Sequence, residues 1–183
     1  LSANDKRKIL CCSFSRSGKT SETVQASKFV RDNFDIPVYG FTCYKQSRLA
    51  EATDFTITFP EAREESVVMT KSFTSMLIGV IKAATALETE FPIGNLPKLG
   101  RGLLENYFEL SEKILDSHEY GRFVFLGGGP LYGIASESML KLKEMALETT
   151  EVFHPMEYRH GPISTADNET LVTLYLSDSG YEQ

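Results

Sequence analysis

Lys8-Ile9-Leu10-Cys11-Cys12-Ser13-Phe14-Ser15-Arg16-Ser17-Gly18-Lys19-Thr20-Ser21-Glu22 passes from an apolar run, through a cluster of small hydroxyl residues, into a segment of helical spacing. Lys8 to Phe14 reads as a buried strand. Thr20 to Asn33 reads as a helix with Val24, Phe29 and Val30 turned inward. A strand that runs through hydroxyl residues straight into a helix N-terminus opens an α/β layer. It is also an anion site on physical grounds, because free amides and the positive end of the helix dipole converge there and Ser and Thr add donors. The plainer reading is that the hydroxyls only cap the helix.

The pattern continues outward from this stretch. Val38 to Cys43, preceded by Pro37, reads as a second strand, Ser47 to Ala52 as a short helix and Phe55 to Phe59 as a third strand. Pro60 to Ser66 is an acidic loop, and Thr70 to Glu88 a long apolar helix. Pro92, Gly94, Pro97 and Gly100 crowd together as the best linker signal. Beyond them come a helix over Gly102 to Ser117, a strand over Arg122 to Leu126, a glycine loop and a helix from Leu131 to about Thr149. Glu151 to His154 and Leu171 to Leu176 read as further strands. Alternation of strand and helix predicts parallel, doubly wound α/β sheets flanked by helices. The division expected is a first unit over residues 1–91, a linker over 92–100 and a second unit over 101–183. Neither unit reads as complete.

Composition narrows the function. The 183 residues are 42% hydrophobic and 24% charged, as in globular domains, with a formal net charge of −6. An acidic chain with one short basic cluster, Lys6-Arg7-Lys8, argues against nucleic acid. No apolar run is long enough for a membrane helix. Three cysteines without a CxxC or zinc spacing read as reduced thiols in a cytoplasmic protein. Gly18-Lys19-Thr20 is no P-loop, since Ser13 stands where that motif requires its first glycine. Gly127-Gly128-Gly129-Pro130-Leu131-Tyr132 lacks the third glycine of a dinucleotide fingerprint and reads as a tight strand-to-helix turn. His154 and His160 lack a third ligand at metal spacing. No metal or other cofactor is expected.

Near the C-terminal end, Glu137, Lys141, Glu144 and Glu148 step by four, three and four, which places them on one stripe of a helix. Such a stripe is ordinarily a solvated face with weak ion pairs. Here it is followed by Tyr158-Arg159-His160-Gly161-Pro162, which brings an imidazole to a loop. Carboxylates, an amine and an imidazole are the groups that move protons at a carbonyl.

Taken together, these segments resemble the SIS (sugar isomerase) domain family of phosphosugar enzymes. Ser15-Arg16-Ser17-Gly18-Lys19-Thr20 is similar to its phosphate loop, and Met69-Thr70-Lys71-Ser72-Phe73-Thr74 to the segment opening the last helix of a first SIS unit. Glu137 to Glu144 is similar to its catalytic helix. Tyr158 to Pro162 is similar to the histidine loop of the tagatose- and galactosamine-6-phosphate branch. The resemblance implies tandem SIS units in a homodimer with shared active sites, acting on a sugar phosphate. It implies that Ser15, Ser17 and Thr20 hold the phosphate, helped by the amides of Arg16 and Gly18. In the same way it makes Glu144 the base that carries a proton between C1 and C2, with Lys141 near the carbonyl and Glu137 beside it. His160 would assist ring opening from the other subunit. Further segments on both sides of this stretch are also implied.

The expected activity is aldose–ketose isomerisation of a hexose or hexosamine 6-phosphate, with deamination when C2 carries an amine. Two alternatives share the phosphate loop. One is a fructosamine-6-phosphate deglycase, and the other a regulatory module that senses a phosphosugar without converting it.

Overall fold

The computed structural model describes residues 9–85 and 93–177. Contacts divide the chain into two compact units, Leu1–Phe91 and Pro92–Gln183.

In the first unit β1 (Cys11–Phe14), α1 (Ser21–Asn33), β2 (Val38–Thr42), α2 (Arg48–Ala52), β3 (Phe55–Thr58) and α3 (Lys71–Thr85) follow in order. The strands form a parallel sheet ordered β1-β2-β3, with Ser13 beside Gly40 and Phe14 beside Phe41. Because side chains alternate along a strand, the row Ser13, Gly40, Thr56 faces one way and Phe14, Phe41, Ile57 the other. On the first face the Ser27 hydroxyl of α1 donates to Ser13 Oγ at 2.8 Å. Val24, Leu49 and Ala52 close the core between α1 and α2 on that face. Burial of Val24 and Leu49 contributes about 2 kcal/mol each, and of the Ala52 methyl less than about 1 kcal/mol. On the second face the Phe14 and Phe41 rings stack at 4.7 Å. There α3 approaches so closely that a Cβ on Gly79 would lie 2.5 Å from the Phe59 ring. Helices therefore flank both faces.

The second unit contains α4 (Leu96–Asp116), β4 (Arg122–Leu126), α5 (Pro130–Ala146), β5 (Thr150–Phe153), α6 (Pro155–Tyr158) and β6 (Thr170–Leu174). Its sheet is parallel and ordered β5-β4-β6. Val124, Leu126 and Tyr158 form its core, with Phe153 packed against them.

Several expectations are corrected. Phe29 is 59% exposed and points outward, because Val24 and Ser27 define the inner face and Phe29 lies five residues, about 140°, around from Val24. It meets Phe34 edge-on at 5.8 Å instead. α4 begins at Leu96, six residues before the expected start, so the end of the Pro92–Gly100 stretch is helical. Pro97 sits in the first turn, where its missing N–H costs nothing. Gly100 and Gly102 face open space. α5 stops at Ala146 rather than about Thr149, because Leu147 adopts the left-handed conformation with φ 59°. Glu148 therefore leaves the stripe. For the apolar helix predicted over Thr70 to Glu88, residues 86–88 lie outside the described residues.

Candidate functional site

In the first unit, the loop after β1 is wired to the C-terminal end of β2. The Arg16 carbonyl accepts from the Cys43 amide at 3.0 Å and from Thr42 Oγ1 at 3.1 Å. The Gly18 carbonyl accepts from the Leu49 amide at 2.9 Å. Gly18 has φ +63°, and a Cβ there would lie 2.3 Å from Ser47 Oγ, so only glycine fits this turn. Ser47 is itself the N-cap of α2, its hydroxyl accepting from the Ala50 amide at 3.3 Å.

Thr20 occupies the N-cap position of α1, yet its side chain caps nothing. Its Oγ1 lies 2.9 Å from Ser15 Oγ. Ser17 Oγ accepts from the Lys19 amide at 3.2 Å. The amides opening α1 are thus left without a side-chain cap while two hydroxyls gather beside them, which is the arrangement an anion needs. A cavity of about 450 Å³ opens here. Ser15, Arg16, Ser17 and Thr20 line its polar side, and Met69, Phe73, Met76, Leu77 and Val80 its apolar side.

The Arg16 guanidinium is engaged by the segment that precedes α3. Its Nη1 donates to the Ser66 carbonyl at 2.7 Å and lies 3.7 Å from Glu64 Oε1. Glu64 in turn accepts from the amides of Thr70, Lys71 and Ser72 and from the hydroxyls of Thr70 and Ser72. The Ser72 hydroxyl foremost, against the opposing effect of burial, and then the Thr70 hydroxyl and the two amides, lower the Glu64 pKa to about 2. Sequence reading missed Glu64. Its only signal was a carboxylate in an acidic loop six residues before the Thr-x-Ser that opens α3.

In the second unit, α5 brings Glu137, Lys141 and Glu144 together. Lys141 Nζ lies 2.8 Å from Glu144 Oε2 and 3.5 Å from Glu137 Oε1. Their side chains are 22% exposed for Glu137, 21% for Lys141 and 37% for Glu144. Desolvation raises the Glu137 pKa, opposed by Lys141. Desolvation also pulls Lys141 down, but the hydrogen bond it donates to Glu144 and the charges of both glutamates leave it raised overall. The helix is anchored from behind by Thr150 Oγ1, which donates to the Met139 carbonyl at 3.2 Å, and by Ser138 Oγ, 2.7 Å from the Tyr175 hydroxyl. Its start is shaped by the glycine loop, where a Cβ on Gly127 would lie 2.3 Å from the Leu131 carbonyl oxygen.

His160 lies exposed on the turn after α6, its amide donating to the Glu157 carbonyl at 2.9 Å. Among the described residues its side chain bonds to none of the three α5 groups. His154 is spent locally, its Nδ1 accepting from the Met156 amide at the start of α6. Among the described residues no three or more His, Cys, Asp or Glu side chains gather as a metal site, and no helix is long and apolar enough to cross a membrane.

The chain is similar to known proteins in sequence and in fold. Residues 3–86 match the SIS domain family. The chain is 31% identical to the D-galactosamine-6-phosphate deaminase of Escherichia coli O157:H7, over 97% of this chain and 49% of the relative. It is 31% identical to the isomerizing glutamine–fructose-6-phosphate aminotransferase of Chlamydia abortus, over 94% of this chain and 30% of the relative. Among solved structures, the glucosamine-6-phosphate deaminase of Thermotoga maritima superposes with a TM-score of 0.78 at 31% identity, covering 96% of this chain and 57% of that one. The tagatose-6-phosphate ketose/aldose isomerase of Escherichia coli superposes with a TM-score of 0.78 at 28% identity, covering 96% and 52%. The chain spans half or less of the length of these curated relatives.

Proposed function

We propose, from the match of residues 3–86 to the SIS domain family, that the protein interconverts the aldose and ketose forms of a hexose or hexosamine 6-phosphate, releasing ammonia when C2 carries an amine. The observation that carries this reading is the Glu137–Lys141–Glu144 cluster on α5. A module that only senses a phosphosugar needs the hydroxyl loop and has no use for an ion-paired acid–base group.

In this account Ser15, Ser17 and Thr20, with the amide of Arg16, hold the phosphate, whose binding energy is remote from the reacting carbons. The Gly18 amide, expected to help, is instead donated to the Ser15 carbonyl at 3.1 Å. Glu144 removes the C2 proton and returns it to C1 through an enediol, or through the corresponding enamine when C2 carries nitrogen. The imine then formed at C2 takes up water and loses ammonia, leaving the ketose. Lys141, held by Glu144 at 2.8 Å, sits beside the developing negative charge on oxygen, and Glu137 holds Lys141 from its other side. His160 moves the proton that ring opening transfers from hydroxyl to ring oxygen, a task suited to an imidazole. We assign His160 to the site of the partner subunit in a homodimer.

The organisation proposed is part of a first SIS unit over residues 1–91 and part of a second over 101–183, joined across 92–100, where α4 has already begun at Leu96, in a cytoplasmic enzyme. Relatives named as deaminases and isomerases of amino- and ketohexose 6-phosphates support the substrate class. The test is incubation of the complete protein with glucosamine 6-phosphate and galactosamine 6-phosphate, following ammonia and ketose. Release from either supports the proposal. No product from either at high enzyme concentration overturns it.

A further inference from the structure

The first unit contains two long helices whose N-termini approach the same cavity, and the chain treats them in opposite ways. At α3 the first-turn amides of Thr70, Lys71 and Ser72 are closed by the Glu64 carboxylate. At α1 the N-cap side chain of Thr20 is directed to Ser15 and caps nothing. A carboxylate on a helix N-terminus satisfies the positive end of that dipole and leaves little field there for a second anion. The opposite holds at α1, whose amides stay open.

Glu64 reaches further than a cap needs to. Its side chain is 10% exposed, and its Oε1 also faces the Arg16 guanidinium at 3.7 Å. Arg16 completes the link through the 2.7 Å bond to the Ser66 carbonyl. The neighbouring Arg63 runs a parallel tie, its Nε donating to the Cys43 carbonyl at 3.1 Å, and the Cys43 amide in turn donates to the Arg16 carbonyl. The loop that carries Ser15 and Thr20 is therefore strapped to the start of α3 at one side-chain charge and one backbone carbonyl.

We propose that Glu64 is a positioning residue, which fixes the Ser15–Thr20 loop against the N-terminus of α3 by holding Arg16. Its functional half rests on the reading of that loop as the phosphate site. Two consequences follow from the geometry. The Arg16 cation is engaged by Glu64, so the anion is held by amides and hydroxyls of the loop and not by a guanidinium. The loop also loses its fixed shape when the strap is cut, even if α3 itself remains helical.

The experiment compares the unaltered protein with E64Q, R16M, the double variant and S72A, which weakens the α3 cap while leaving Arg16 and the Glu64 charge in place. Amide hydrogen exchange at Gly18 and Cys43, whose N–H groups donate to the Ser15 and Arg16 carbonyls of the strapped loop, should quicken at least tenfold in E64Q and in R16M, and little in S72A. Binding of glucosamine 6-phosphate by calorimetry should weaken about tenfold in E64Q, with the double variant no weaker than R16M alone. S72A should lose thermal stability and keep its affinity. If E64Q does not fold, R16M carries the exchange test, since its α3 cap is untouched. Unchanged exchange at Gly18 and Cys43 overturns the strap. Affinity that is unchanged or tighter in E64Q, losses that add in the double variant, or an S72A loss as large as that of E64Q, overturn its role in binding. If the unaltered protein binds no sugar phosphate while exchange still responds to E64Q, the strap stands and the phosphate reading of the loop falls.

Discussion

Ser15 Oγ lies 2.9 Å from Thr20 Oγ1, although Thr20 stands at the N-cap of α1, where such a hydroxyl ordinarily closes the helix. A hydroxyl withdrawn from its capping role is available to a ligand. Thr20→Val keeps the shape and removes the hydrogen bond. Sugar-phosphate affinity should fall between about tenfold and a hundredfold, the range for a lost bond to a charged acceptor. Calorimetry with the phosphorylated and the unphosphorylated sugar checks this, and equal loss for both would assign Thr20 to the fold.

Gly18→Ala tests the turn itself. Alanine would carry a Cβ into Ser47 Oγ in a left-handed conformation that side chains disfavour, so stability should fall by at least about 2 kcal/mol. Chemical denaturation measures it. A change of a few tenths would mean that the loop relaxes freely and is not held by β2 and α2.

Leu147→Gly should act in the opposite direction. Leu147 ends α5 with φ 59° and is 86% exposed. Glycine there relieves the left-handed strain without emptying a core, and should raise stability by up to about 1 kcal/mol. A lower melting temperature would contradict this account of the α5 terminus.

The boundaries of these elements were legible where burial dictates them. The run Arg122–Leu126 is β4 as expected, because its continuous apolar part, Phe123–Leu126, is what the middle strand of a parallel sheet requires. Ser47 was expected inside a short helix, and caps it. Phe29 misled because helical periodicity alone does not distinguish which of two apolar stripes faces the core, and the buried stripe is completed by a serine. The start of α4 was hidden because Pro97 and the glycines around it carry turn chemistry, whereas the spacing of Leu96, Leu99 and Leu103 is what persists into the helix. In the candidate site, Glu137, Lys141 and Glu144 were readable because local spacing brings them together. Glu64 was not, since it reaches α3 from across an irregular loop and no fixed spacing defines that contact.

Glu64 also sets a pH dependence. Its folded pKa, about 2, lies below the ordinary value of 4.5. Stability from this group is therefore fully present above pH 4.5 and is lost as pH falls from there through about 2. The unaltered protein should be more stable than E64Q at neutral pH, with the gap closing across that acid window. Denaturation of both proteins from pH 7 to 2 checks the sign, and a gap that stays constant would show that Glu64 is not ionised within the cap.

The central claim is that Glu144 carries the proton between C1 and C2. Glu144→Gln preserves the shape of α5 and the 2.8 Å approach of Lys141 to residue 144 through the amide oxygen. In the complete protein, turnover of the hexosamine 6-phosphate should fall by about a hundredfold to ten-thousandfold, the contribution of a positioned general base, while calorimetric binding of the sugar phosphate stays within about threefold. Turnover near that of the unaltered enzyme, or binding lost along with it, would contradict the assignment and leave Glu144 as a structural or ligand-holding residue.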